Sequence, residues 1–360
     1  MKGKKRLAAE LSFFVLVIAA TVYGLFRGND LMEVLRLVGS AQWGWWLLGL
    51  VLVVLFICGE SLILHDMMRT LKTPHRGSHC VLYSFIGFFF SAITPSAGGG
   101  PHIQAAPPGG QPAQVVAMKR DGIPGAVSVP VLMLVTITYK LVLVIYGAGV
   151  FLLRPRGIME ALSPVMGWCI LGFCLNVGFI TLYVLLMLCP GAILRMLDGI
   201  FALLGRFRRA ERMEDRKNRA REWVIRYQAA ADCLRQHRGM LFRVTALSVL
   251  QRTLLFLVTY AALKSFGLGQ GLLFRSVVLQ AMISMSTDLL PLPGGMGASE
   301  TMFLRIFPAL CGGELLLPVL LVSRGISYYG QLILSAVVTA LSPWLFGRAK
   351  GEVREDDRIL

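Results

Sequence analysis

Apolar runs of bilayer length recur along the whole chain, and they leave it few folds. About 20 mostly apolar residues cross a hydrocarbon core as a helix. Runs of that order occupy residues 11–26, 43–64, 126–153, 165–188, 241–263 and 315–345. A bilayer interior satisfies no backbone polar group, so a crossing segment is a helix or part of a closed barrel, and runs this long without alternation specify helices. The predicted fold class is all-α, a polytopic helical membrane protein with about six full spans. Only 16% of the 360 residues are charged and 56% are hydrophobic, against about a quarter charged in an ordinary globular chain. No soluble domain is expected between the spans. Lys2, Lys4, Lys5 and Arg6 precede the first run as they would a signal peptide, but no small-residue cleavage site follows cleanly, so a retained span is expected.

The net charge of +16 is concentrated in short loops beside the apolar runs, which is what topology requires of cytoplasmic loops. Anionic lipid headgroups, rather than nucleic acid, are the partner this pattern implies. The longest polar stretch, 195–238, holds twelve Lys or Arg against six Asp or Glu and is expected to be a cytoplasmic connector. Its apolar positions Phe201, Leu204, Met213, Trp223, Ile225 and Tyr227 allow an amphipathic helix on the membrane surface; a solvated connector is the plainer reading. Residues 1–345 are read as one transmembrane domain and 346–360 as a cytoplasmic tail. Trp43, Trp45 and Trp46 suit an interfacial belt. The seven cysteines show no CxxC pairing and read as small core residues. His75, His79 and Cys80 fit no standard zinc spacing and read as part of a basic loop, so no metal and no cofactor are expected.

Counting loop charges from the basic N-terminus and outward from Arg195 places both ends of 80–118 on the cytoplasmic side. That stretch holds an apolar run of thirteen residues, VLYSFIGFFFSAI, and then TPSAGGGPHIQAAPPGGQPAQ. The run is too short to cross and return, so a re-entrant hairpin is predicted. The same count puts both ends of 272–313 outside, around the break LLPLPGGMGASE. Two Pro/Gly-interrupted segments entering from opposite faces are the mark of an inverted repeat.

TPSAGGG, then GGQPAQVVAMKRDGI, then PLPGGMGASE about 180 residues later, together resemble the lysylphosphatidylglycerol synthase transmembrane region, or flippase-like domain family, over nearly the whole chain. The resemblance implies a helical domain that moves aminoacylated or glycosylated lipids between leaflets. Full-length synthases carry a cytoplasmic aminoacyl-transferase domain after it; the chain ends at Leu360, and the expectation is a chain without that domain. In the family the first break is compact. Here GGGPHIQAAPP intervenes, which widens the hairpin or marks a less active member.

Ionisable groups inside spans cost at least about 2.5–3.5 kcal/mol each at a helix centre, so each is a candidate site. If the hairpins meet, Arg120, Arg305 and Arg324 could hold a lipid phosphate. Glu60, Asp288 and Glu300 could face a cationic headgroup. The break residues Pro95, Gly98, Gly99, Gly100, Gly109, Gly110, Pro293, Gly294, Gly295 and Gly297 would let backbone approach that headgroup. Structural readings stand beside these: Lys140 snorkels, Arg120 and Asp121 form an interfacial loop pair, Glu300 pairs with Arg305, and Gln104, Gln111 and Gln114 satisfy hairpin backbone; Asp66 and Arg69 lie one and two turns beyond Glu60.

No nucleophile triad, Walker loop or nucleotide fingerprint is present. A lipid translocator binding anionic or aminoacylated phospholipid, in the cytoplasmic membrane with both termini cytoplasmic, is the leading expectation. The alternatives are a phosphatidylglycerol lysyltransferase, or its membrane subunit working with a separate transferase chain and lysyl-tRNA, and a structural membrane protein. Nucleic acid enters only under the transferase reading.

Overall fold

The computed structural model describes residues 30–93, 110–188, 211–290 and 292–345, together with residues 21 and 23. Every element among them is helical. In chain order they are α1 (Leu31–Gly39), α2 (Trp43–Thr70), α3 (Gly77–Ile93), α4 (Gly110–Arg120), α5 (Gly125–Leu153), α6 (Arg156–Leu162), α7 (Met166–Leu188), α8 (Glu211–Gln236), α9 (Arg238–Ser265), α10 (Leu273–Thr287), α11 (Ala298–Ile306), α12 (Pro308–Arg324) and α13 (Gln331–Leu345). A 3₁₀ turn at Ser163–Val165 joins α6 to α7, another at Pro293–Gly295 separates α10 from α11, and a π-turn at Gly325–Gly330 joins α12 to α13.

Among the described residues five stretches are long and apolar enough to cross a membrane: Trp43–Thr70, Gly125–Leu153, Arg156–Leu188, Arg238–Ser265 and Pro308–Ser342. They correspond to five of the six predicted spans. The sixth, 11–26, lies outside the described residues except for residues 21 and 23. The perimeter is apolar, as a lipid-facing surface must be: Leu47, Val51 and Leu55 on α2, Ile170, Leu182 and Leu185 on α7, and Ile333, Val337 and Leu341 on α13 are all exposed.

Three contacts fix how α2 lies against α9. The Gln42 N–H donates to the Ser265 carbonyl at 2.8 Å, the Gln251 amide donates to the Phe56 carbonyl at 3.0 Å, and Arg243 grips both Asp66 oxygens at 2.9 and 3.1 Å. Early residues of one helix meet late residues of the other, so the two run antiparallel. Together they form the longest helix contact of the bundle.

At the end where α2 finishes and α9 begins, Ile63, Leu64, Met67, Cys80, Met118, Ile123, Leu234 and Met240 share one apolar cluster. Here α3 begins, and here α4 returns, because His79 in the first turn of α3 lies 2.6 Å from Asp121 just past α4. Residues 94–109, which carry TPSAGGGPHIQAAPPG, lie outside the described residues, and with them Pro95, Gly98, Gly99, Gly100, Gln104 and Gly109. The two arms pack closely at Gly110, where a Cβ would collide with the Ser91 hydroxyl and the Gly87 carbonyl.

The second pair of short helices belongs to the opposite end. Arg275 in the first turn of α10 donates to the Gly157 carbonyl of α6 at 2.8 Å, and α11 packs on α6 and the Ser163–Val165 turn. With 17 and 11 residues in α3 and α4, and 15 and 9 in α10 and α11, none reaches the roughly 30 Å of a bilayer core at about 1.5 Å per residue. The order of long helix, two short helices, long helix thus occurs twice, starting from opposite ends.

The basic connector differs from the expectation of a helix resting on lipid or free in solvent. α8 lays Val224, Tyr227, Ala231 and Leu234 against the bundle, chiefly on α5, while Ile225 is exposed. Tyr227 also reaches the Met133 sulfur at 3.3 Å. The apolar stripe is shifted by one residue from Ile225, so protein rather than headgroups covers it. Phe201 and Leu204 lie outside the described residues.

Candidate functional site

The described end of α3 meets the second short-helix pair and the turn after α12. The Tyr328 hydroxyl, in the π-turn after α12, donates to the Ala92 carbonyl at the inner end of α3 at 2.7 Å. Ala92, Met296 and Tyr328 pack as a small buried cluster, and α3 touches the Pro293–Gly295 turn. A π-turn widens the helix by one residue and is frequent at functional sites; here it turns Tyr328 toward the first pair.

One ion pair holds the second break. Arg324 Nε donates to Glu300 Oε1 at 2.7 Å, Arg324 Nη2 donates to the Gly294 carbonyl at 3.1 Å, and Glu300 Oε2 accepts from the Gly297 N–H at 2.7 Å. Glu300 therefore caps its own helix, where a carboxylate meets unpaired N–H groups. The predicted alternative, a Glu300–Arg305 pair, is replaced by this one. Arg305 is exposed at the last turn of α11.

A second ion pair ties α10 to α5. Lys140 Nζ lies 2.5 Å from Asp288 Oδ2, and Tyr139 donates its hydroxyl to the other oxygen of the same carboxylate. Lys140 is 5% exposed, so it does not snorkel. Asp288 sits at the C-cap of α10, where the chain leaves the helix for the break.

A third polar contact lies on the first pair. Gln114, in α4, donates to Glu60 of α2 at 2.8 Å, and both side chains are buried. Gln111 donates to the Leu132 carbonyl at 3.1 Å and touches Thr136, which satisfies backbone of a neighbouring span. Arg120 is exposed at the end of α4. Its sequence neighbour Asp121 is held by His79 and Tyr83 instead.

Between these contacts stands Arg252, on α9, which the sequence reading passed over. Its guanidinium lies 3.3 Å from the centre of the Tyr139 ring and 5.1 Å from that of Phe56. Its charge acts on Glu60. Its buried Nε has no hydrogen-bond partner among the described residues. The signal was available, because Arg252 interrupts an apolar span just as Lys140 does. The result is a string of polar groups in which the charge of Arg252 lies between Gln114–Glu60 on the side of the first short-helix pair and Tyr139–Asp288–Lys140 on the side of the second.

Of the predicted site residues, Glu60, Asp288, Glu300 and Arg324 are buried or nearly so in this central region, with Gly110, Gly294, Gly295 and Gly297 beside the breaks; Arg120 and Arg305 sit apart from them. Gly294, Gly295 and Gly297 all have positive φ, at 56°, 66° and 81°. At Gly294 a Cβ would also fall inside the Tyr328 ring.

At the far edge of the first pair, the expectation of a plain basic loop meets a different arrangement. His75 lies on His65, with Cys80 beside both, and the three donor atoms lie within 4.8 Å of one another. His65, ten residues upstream on the preceding span, was out of reach of any local spacing rule.

Among the described residues, five helices of spanning length, two short-helix pairs from opposite ends and charges buried between them define a polytopic helical membrane protein with a polar centre. The chain belongs to the family of the lysylphosphatidylglycerol synthase transmembrane region, whose model matches residues 8–335. No curated protein matches it.

Proposed function

We propose that this protein translocates an aminoacylated or similar anionic-backbone phospholipid between the leaflets of the cytoplasmic membrane. The observation that carries the reading is the polar string between the short-helix pairs, centred on Arg252 with its unpartnered buried Nε. Keeping Glu60, Lys140 and Arg252 within spanning helices, with Asp288 held against one of them, costs several kcal/mol that a merely structural bundle of apolar helices would not incur. Membership of a family concerned with lysylphosphatidylglycerol supports the lipid class.

In this reading the short-helix pairs are re-entrant hairpins, and the polar groups between their tips take the place of water around a crossing headgroup. Arg252 and Arg324 offer planar donors to the phosphodiester, while Asp288, Glu300 and Glu60 face the ammonium groups. The acyl chains stay in lipid outside the apolar perimeter. The Lys140–Asp288 and Arg324–Glu300 pairs hold these charges neutral when no headgroup is present and exchange partners when one enters. The loop charges support a cytoplasmic side for both termini and α8.

The test is reconstitution in proteoliposomes with fluorescent lysyl-phosphatidylglycerol, reading the leaflet distribution. Arg252→Gln and Asp288→Asn are each expected to slow equilibration at least ten-fold. Wild-type protein that moves the lipid no faster than empty vesicles, or variants that match wild type, overturn the proposal.

A further inference from the structure

We propose that His65, His75 and Cys80 bind one zinc ion, which fastens the base of the first short-helix pair to the end of α2. The three residues come from three pieces of chain: His65 from the last turns of α2, His75 from the connector, and Cys80 from the start of α3. The connector turns back on itself at Lys72, whose φ of 51° is left-handed, with the Thr73 N–H donating to the Met68 carbonyl at 3.1 Å. That reversal is what lays His75 on His65.

The hydrogen bonds fix the protonation of the pair. His75 Nδ1 lies 2.8 Å from the Thr73 carbonyl, which can only accept, so Nδ1 carries the hydrogen and Nε2 presents its lone pair. That lone pair faces His65 Nδ1 at 2.9 Å. A carbonyl orienting the far nitrogen of an imidazole is the usual outer support of a metal-binding histidine. His79 is not part of the set, since Asp121 holds it at 2.6 Å.

The donor spacing suits a tetrahedral ion. Metal–nitrogen bonds of about 2.0–2.1 Å and a metal–sulfur bond of about 2.3 Å set donors about 3.3–3.6 Å apart. All three donor atoms already lie within 4.8 Å of one another, so side-chain torsions alone can close the gap. On binding, the Cys80 thiol proton passes to solvent and the His65 hydrogen moves from Nδ1 to Nε2, leaving two neutral imidazoles and a thiolate around the cation. Imidazole with thiolate selects zinc over magnesium or calcium. Three protein donors leave the fourth position to water. Bound zinc would join α2, the connector and α3 into one rigid corner, opposite the His79–Asp121 contact that closes the other arm.

Cobalt serves as the spectroscopic probe. The full chain, purified in detergent without a polyhistidine tag, is stripped with chelator and titrated with Co²⁺. One equivalent is expected to bind, with a thiolate-to-cobalt charge-transfer band that Zn²⁺ displaces. Cys80→Ser removes the band, and His65→Ala or His75→Gln weakens binding at least ten-fold. Cys233→Ser, which alters the Cys233–His237 contact, leaves both unchanged. His75 is half-buried on a connector, so its variant keeps the fold even if Cys80→Ser does not. Absence of Co²⁺ binding, or a band that keeps wild-type affinity in either Cys80→Ser or His75→Gln, overturns the proposal.

Discussion

Arg324 and Glu300 hold the second break closed from two helices, 2.7 Å apart, and each spends its remaining capacity on the break backbone. Arg324 binds the Gly294 carbonyl and Glu300 binds the Gly297 N–H. The pair therefore does two jobs, neutralising charge and bonding backbone of the break. Removing either residue undoes both.

Glu300→Ala is accordingly expected to destabilise the protein by about 3–5 kcal/mol, because it strands a largely buried guanidinium and uncaps α11. Glu300→Gln keeps the cap acceptor and should lose less. Chemical denaturation in detergent separates the two; equal losses would show that charge neutralisation alone matters.

Gly294→Ala has two costs with different remedies. A non-glycine residue in the left-handed region costs roughly 1–2 kcal/mol. The collision with the Tyr328 ring adds to it. Adding Tyr328→Ala should relieve the collision and leave the backbone cost, so the double variant is expected to be less destabilised than the sum of the singles. Thermal unfolding of the four proteins measures the coupling.

The spans were legible because lipid imposes one period and one length, and five of the predicted runs overlap spans of the structure, though one begins at Arg156 rather than residue 165 and another at Pro308 rather than residue 315. Asp288, Glu300 and Arg324 were legible for the same reason, as charges where lipid forbids them. Their partners were not. Glu300 has Arg305 one turn and a half away in sequence but pairs with Arg324 through the fold. Lys140 and Asp288 are 148 residues apart. The stripe of α8 was misread because Trp223, Ile225 and Tyr227 look apolar together, whereas helical spacing puts Val224, Tyr227, Ala231 and Leu234 on one face. His65 joins His75 only because the chain reverses at Lys72, a conformation no composition rule foresees.

The Lys140–Asp288 pair distinguishes stability from transport. Lys140→Met alone strands a carboxylate that keeps only the Tyr139 hydroxyl, and is expected to cost about 3–5 kcal/mol. Lys140→Met with Asp288→Leu removes both charges and should recover most of that loss, since apolar replacement of a buried pair is often neutral. Translocation should stay abolished in the double variant. Recovery of lipid movement together with stability would mean that the pair serves only the fold.

The placement of the short-helix pairs makes the sharpest topological prediction. Ser78 at the start of α3 and Arg120 at the end of α4 are both exposed at the end of the bundle where α2 finishes. Phe274 at the start of α10 and Arg305 near the end of α11 are both exposed at the other end. Each is replaced singly by cysteine, and label gained over the parent from a membrane-impermeant maleimide is read in oriented vesicles. Ser78→Cys and Arg120→Cys are expected to react from one face, and Phe274→Cys and Arg305→Cys from the other. A helix pair that crosses the membrane would split its two positions between faces, because 17 and 11 residues of helix in series exceed the roughly 30 Å core when laid end to end. Agreement within each pair is what a chain that turns back inside the bilayer requires.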